Sequence, residues 1–201
     1  TELFYDGNSQ GGIIGGAATA VSLDWTRAVL GVPGMNYGIL LSRSVDFNNF
    51  LPFFEASYLR EVEHPLILQM AQMLWDRAEA NGYAQHMTDD PYPGTPAHQV
   101  LMHVAFADHQ VSMTAAEIEA RTIGAKIHQP ALADGRHHDP SPYWGIDAIP
   151  SYPYSGSAIV IWDSGTPTPP TANIPPTAGQ DPHEFPRRSP AARQQKSEFL
   201  K

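Results

Sequence analysis

Leu3-Phe4-Tyr5-Asp6-Gly7-Asn8-Ser9-Gln10-Gly11-Gly12 is the stretch on which the reading of this chain turns. Leu3 to Asp6 reads as the end of a strand, Gly7 to Gly11 as a sharp turn, and Gln10 to Leu23 as a helix rich in Gly and Ala. A strand, a tight turn holding a serine and then a helix is the context that presents a hydroxyl nucleophile above a sheet edge. The turn forces the serine into a strained backbone, and Gly7 and Gly11 remove side chains that would collide there. Gly12, Gly15 and Gly16 let the helix lie close on the sheet. The competing reading is the glycine-rich strand–helix turn of a nucleotide-binding fold. Against it, the stretch is not G-x-G-x-x-G and lacks the lysine of a phosphate-binding loop.

The composition narrows the class. The chain has 201 residues, 42% of them hydrophobic, enough for one domain with a sizeable core. A formal charge of −9 argues against nucleic acid or an anionic membrane as the main partner, because both reward basic patches. No run approaches the roughly 18 apolar residues of a membrane-spanning helix. The absence of cysteine excludes disulfides, thiolate metal sites and a cysteine nucleophile, and leaves the compartment open.

Along the chain, Arg27 to Gly34 reads as a short apolar strand ending in a turn, and residues 35–83 as predominantly helical. Phe47, Phe50, Phe53, Phe54 and Tyr58 recur at helical spacing, and Pro65 to Asn81 carries Leu66, Met70, Met73 and Leu74, with Gly82 as a stop. Residues of these types at this spacing read either as ordinary core or as a cap over an acyl pocket, and their position between strands favours the cap. Thr88 to Pro96 is a loop dense in turn residues, Gln99 to Ala105 the next strand, Thr114 to Ile123 a helix and Ala158 to Trp162 a last strand. Residues 164–190 are proline-rich and irregular, and Ser189-Pro190 opens a terminal helix over 191–200. Strands alternating with helices predict an α/β fold, a mostly parallel sheet with helices on its faces.

A serine hydroxyl needs a base, and the base needs an orienting acid. After a strand–elbow–helix the order along the chain is Ser, then Asp or Glu, then His. Asp108, in the turn that follows the strand ending at Ala105, fits the acid; its alternative role is that of a turn or capping carboxylate. Asp163, at the end of the last strand, is the rival and reads as structural. Of nine histidines, His183 in Asp181-Pro182-His183-Glu184 lies after the last strand and before the terminal helix, where the base is delivered. His103 falls inside a strand and reads as core. His137 and His138 sit in a charged loop and read as solvated, and His109, beside Asp108, reads as a pocket-lining residue. The backbone N–H of Gln10 is placed as one oxyanion donor. His137-His138-Asp139 with Asp147 is too weak a pattern for a metal site, so neither a metal nor another cofactor is expected.

These residues resemble the C-terminal half of a bacterial α/β-hydrolase of the serine esterase/lipase group. The resemblance runs from the elbow at Gly7 through Asp108 to the Asp-Pro-His-Glu segment and takes in Ala107-Asp-His-Gln-Val111, Ala120-Arg-Thr-Ile-Gly124 and Gly156 to Gly165. It implies that residues 1–201 form the C-terminal portion of the domain and that a carboxylic ester, small or lipid-like, is cleaved through an acyl-enzyme by Ser9, His183 and Asp108. It also implies that a separate N-terminal chain, or an upstream region, completes the fold and gives the second oxyanion donor. Loss of one such donor costs about 10²–10³ in rate, so these residues alone are expected to be a poor enzyme. An amidase or peptidase with the same triad, and a non-catalytic hydrolase-fold subunit that binds a partner chain, are the alternatives.

Overall fold

A computed structural model describes residues 2–201. In chain order its elements are β1 (Tyr5–Asn8), α1 (Gln10–Val21), β2 (Arg27–Gly31), α2 (Tyr37–Leu40), α3 (Leu51–Ser57), α4 (His64–Trp75), β3 (Gln99–Ala105), α5 (Met113–Thr122), β4 (Lys126–Ile127), β5 (Ala158–Trp162), α6 (Phe185–Arg188) and α7 (Pro190–Phe199). The strands form one five-stranded sheet in the order β1-β2-β3-β5-β4, and every neighbouring pair is parallel. In register, Asn8 lies beside Gly31, Gly31 beside His103, and His103 beside Val160.

The central strands are near-continuous apolar runs, as parallel strands covered on both faces must be. Alternate residues serve opposite faces. On one face Leu30, Met102 and Ile159 meet Ala20 of α1 and Ala116 and Ala120 of α5. On the other, Val29, Leu101 and Val160 are covered by Phe199 and Leu200 at the end of α7. Arg27 and Lys196 tie α7 to the sheet: Arg27 donates to the Phe199 carbonyl at 2.9 Å, and Lys196 pairs with Asp6. Helix α1 reaches the sheet closely because Gly12 has no side chain; a Cβ there would sit 2.6 Å from the Gly31 carbonyl.

Strands β3 and β5 have the bounds their patterns predict, and α1, α5 and α7 differ from expectation by a residue or two at their ends. The two-residue β4 is too short to leave a pattern. Segment 35–83 is predominantly helical, as its pattern predicts, but in short pieces. It is a chain of short α and 3-10 turns, and among its longer pieces only α4 exceeds two turns. Met35, Leu40, Ala80 and Ala84 belong to the core, but Phe50, Phe53, Leu66, Met70, Met73 and Leu74 are each more than 60% exposed. Helix α4 is held along one stripe only. Leu68 and Gln72 are buried, and Gln72 accepts from Gly38 N–H at 3.0 Å while donating to Asp76 and Glu79. The rest of the helix faces outward. No helix is long and apolar enough to cross a membrane among the described residues.

Beneath α1, the core holds a carboxyl in an unusual state. Glu119 of α5 is fully buried, and neither carboxyl oxygen has a hydrogen-bond partner. Burial, with the nearby Glu79 adding repulsion, pushes its pKa from 4.5 up to about 8. The folded state therefore keeps a proton that the unfolded chain releases. The stability from this group is fully present below pH 4.5 and is lost as pH rises to about 8. Glu119→Gln is expected to flatten the fall in urea midpoint between pH 5 and pH 8. An unchanged pH slope in the variant would show that Glu119 is not the group responsible.

Candidate functional site

In an all-parallel sheet every strand exits at the same edge, and ligand sites of open α/β sheets form outside those carboxyl ends. Ser9 follows β1, Asp108 follows β3 by three residues, and the loop after β5 carries His183. Because β1 and β3 are two strand spacings apart, roughly 10 Å, a carboxylate–imidazole–hydroxyl chain has the length to span them.

At the β1 exit the backbone of Ser9 adopts φ 59° and ψ −123°, a conformation that few non-glycine residues take up and that costs on the order of 1–3 kcal/mol. Hydrogen bonds on both sides hold it there. Ser9 N–H donates to the Gly31 carbonyl at 2.9 Å, and the Ser9 carbonyl accepts from Gly12 and Ile13 at 2.7 and 3.0 Å. Gly7 is required for the same bend, since a Cβ on it would lie 2.3 Å from the Gly11 carbonyl oxygen. The Ser9 hydroxyl does not cap the helix it precedes, so it is left for other work. Gln10 N–H, first in α1, has no intrahelical acceptor.

Asp108 and His183 meet in the interior. The Asp108 carboxylate lies 3.0 and 2.8 Å from His183 Nδ1, and both residues are more than 95% buried. One carboxylate oxygen also accepts from the N–H groups of Gln110 and Val111, at 2.8 and 3.1 Å, which fixes the turn after β3. Burial pulls the His183 imidazole down, but the hydrogen bond and charge of Asp108, with the charge of Asp181, outweigh it and leave the group above its usual range.

Asp181 is the residue that sequence reasoning missed. Its Oδ1 accepts from His183 N–H at 3.0 Å and His109 N–H at 3.4 Å, and its Oδ2 accepts from the Gln110 side chain at 2.7 Å. These bonds draw its pKa down against the opposing effect of burial and clamp the His183 loop to the Asp108 turn. A signal was present: Asp two residues before His is an Asx-turn spacing.

The remaining candidates separate cleanly. Asp163 is taken by Arg136 in a two-pronged ion pair at 2.6 and 2.7 Å. His103 is core, with Nε2 on Gln195 at 2.9 Å, and burial lowers its pKa to about 4. His109 is buried with Nε2 unpartnered, and its carbonyl accepts from Val45 N–H at 2.9 Å. His138 is exposed as expected and His137 half-buried; both line a cavity of about 420 Å³ beside Asp108, and His109 is not among its lining residues. No cluster of three or more metal-ligating side chains occurs among the described residues. The structure thus brings Asp108 and His183 into contact and puts Ser9 on the same sheet edge; no hydrogen bond joins Ser9 Oγ to His183 among the described residues.

Compared with family models, with curated proteins and with solved structures, the chain matches none.

Two outcomes follow from this geometry. In Asp108→Asn the carboxylate that raises His183 is gone, so the imidazole pKa read by NMR titration is expected to fall below its wild-type value. The stability it contributes, present at acid pH and lost as pH rises through the folded pKa, disappears with it. An unchanged His183 titration would refute the coupling. Gly7→Ala is expected to cost about 1–3 kcal/mol in urea denaturation, because the Gly11 backbone must move; a neutral result would mean that the bend tolerates a side chain.

Proposed function

We propose that this protein is a serine hydrolase of the α/β-hydrolase type that cleaves a carboxylic ester. The observation that carries the reading is the buried contact between Asp108 and His183, 2.8 Å at its shorter distance, on the sheet edge where Ser9 stands in a strained turn. A carboxylate buried against an imidazole fixes which ring nitrogen carries the proton and steadies the charged form, as a general base requires. The supporting order along the chain is Ser9, Asp108, His183.

In the proposed reaction Ser9 Oγ attacks the acyl carbon as His183 Nε2 takes its proton. Asp108 holds Nδ1–H and stabilises the imidazolium, and Gln10 N–H donates to the developing oxyanion. His183 then gives the proton to the departing alkoxide, leaving an acyl group on Ser9. Water attacks that acyl-enzyme, with His183 again accepting the proton, and releases the acid. The Ser9–His183 contact forms in the substrate complex; catalytic hydrogen bonds commonly tighten only there. A second oxyanion donor, and with it a completing chain, belongs on the open side of β1, which carries no strand among the described residues.

A partner-binding role is the second reading. Its support is the apolar outer surface of α3 and α4, where Phe53, Met73 and Leu74 are each at least 70% exposed. Larger exposed apolar patches mark interaction sites more often than isolated residues do.

A fluorophosphonate probe followed by intact-mass spectrometry tests the main reading. One probe mass on Ser9, absent from Ser9→Ala and strongly reduced in His183→Ala, is the expected result. Ester turnover is expected to fall by at least about 10³ in either variant. Undiminished turnover in Ser9→Ala would remove Ser9 as the nucleophile, and labelling of no serine at all would favour the partner-binding role.

A further inference from the structure

The cavity beside Asp108 lies between Arg43, which follows α2, the first turn of α5 and the loop over residues 169–176. Arg43 is the only Lys or Arg on its wall. No carboxylate comes within ion-pair reach of it among the described residues, and its Nε is shut off from solvent with no hydrogen-bond partner. A guanidinium keeps its charge at all working pH values, so a cation left unpaired on a cavity wall calls for an anion.

Facing it, Ser112 is 94% buried, yet its hydroxyl does not cap α5. Ala115 and Ala116 N–H return to the Ser112 carbonyl, which leaves Met113 and Thr114 N–H without intrahelical acceptors. No acidic residue occupies the first turn of this ten-residue helix to absorb its positive end. A charged fork, a hydroxyl and two backbone donors therefore address one space.

Two further observations define what fits it. Asp108 and Asp139 also contribute to the wall, the first engaged by His183 and the second by Ser141 N–H. Asp108 is paired to His183, and Asp139 is exposed to solvent, which screens its charge. Among the described residues Arg43 is then the one unpaired charge on the inner wall, and a single cation suits one negative charge better than a dianion such as phosphate. Beyond the polar end, Pro170, Ile174 and Pro176 give an apolar wall. We propose that this cavity binds an organic carboxylate, its head on Arg43, Ser112 and the start of α5 and its hydrocarbon body against the proline-rich loop. Because Ala107 and Asp108 form part of the same wall, the ligand rests against the turn that carries the dyad's carboxylate. The inference stands apart from the hydrolytic reading, since it needs binding and not turnover.

Isothermal titration of the full chain with heptanoate, heptanamide and inorganic phosphate tests it. Heptanoate is expected to bind saturably at one per chain, with the amide at least about tenfold weaker, as expected of a charge-assisted Arg–carboxylate contact. Arg43→Met is expected to weaken heptanoate by at least about tenfold. Ile174→Trp, at the exposed rim, is expected to weaken it by filling the cavity with Arg43 still in place, and serves should the first variant fail to fold. The proposal is overturned if heptanoate shows no saturation, if the amide binds as well as the acid, if phosphate binds more tightly, or if neither substitution lowers the affinity.

Discussion

In an all-parallel sheet no strand can be joined to its neighbour by a tight turn, so each must be followed by a return across one face. That constraint governs this molecule. It buries both faces of the central strands, which is why Val29, Leu101 and Val160 are as apolar as Leu30, Met102 and Ile159 on the reverse side. It also sends every strand exit to one edge. Ser9 and Asp108 come from turns nearly a hundred residues apart in the chain, yet they share that edge because the sheet order β1-β2-β3 leaves one strand between them.

The interior handles ionisable groups in two opposite ways. Asp108 goes in as part of a satisfied network: His183 on one side, the N–H groups of Gln110 and Val111 on the other, and Asp181 bracing the loop that brings the imidazole. A buried carboxylate is tolerated only when so surrounded. Glu119 goes in with no partner for either oxygen and accepts protonation instead. The first arrangement preserves charge where proton transfer is proposed. The second removes charge from a place where only packing is needed.

Much of this was legible in the residues. The runs Gln-Val-Leu-Met-His-Val-Ala and Ala-Ile-Val-Ile-Trp name β3 and β5 to the residue, because a strand covered on both faces is near-continuously apolar and stands out from the polar loops beside it. The Gly7–Gly11 turn announced a serine in an unusual conformation, and the Ser9 dihedrals are the physical form of that signal. The pairing of Asp108 with His183 across 75 positions came from order along the chain, not from any local pattern. Segment 35–83 is helical as its spacing foretold, but the breaks between its short pieces were not legible, because periodicity reports which residues share a helix face and not what lies opposite that face. The partial burial of His137 was equally hidden, whereas His138 is exposed as read. A charged Gly-Arg-His-His-Asp loop reads as solvated until Phe106 and Tyr143 are found against the His137 ring.

Helix α7 carries a consequence for how the molecule is made. Phe199 and Leu200 cover part of one face of the sheet, and Arg27 and Lys196 hold that closure to β2 and β1. Strands made early in synthesis therefore wait, with part of one apolar side open, until residues 190–200 emerge. Domains form from the N-terminal end during translation at about 5–20 residues per second, so about 30 residues between the end of β5 and α7 amount to a delay of seconds. Over that interval the nascent sheet keeps part of one apolar side open to water.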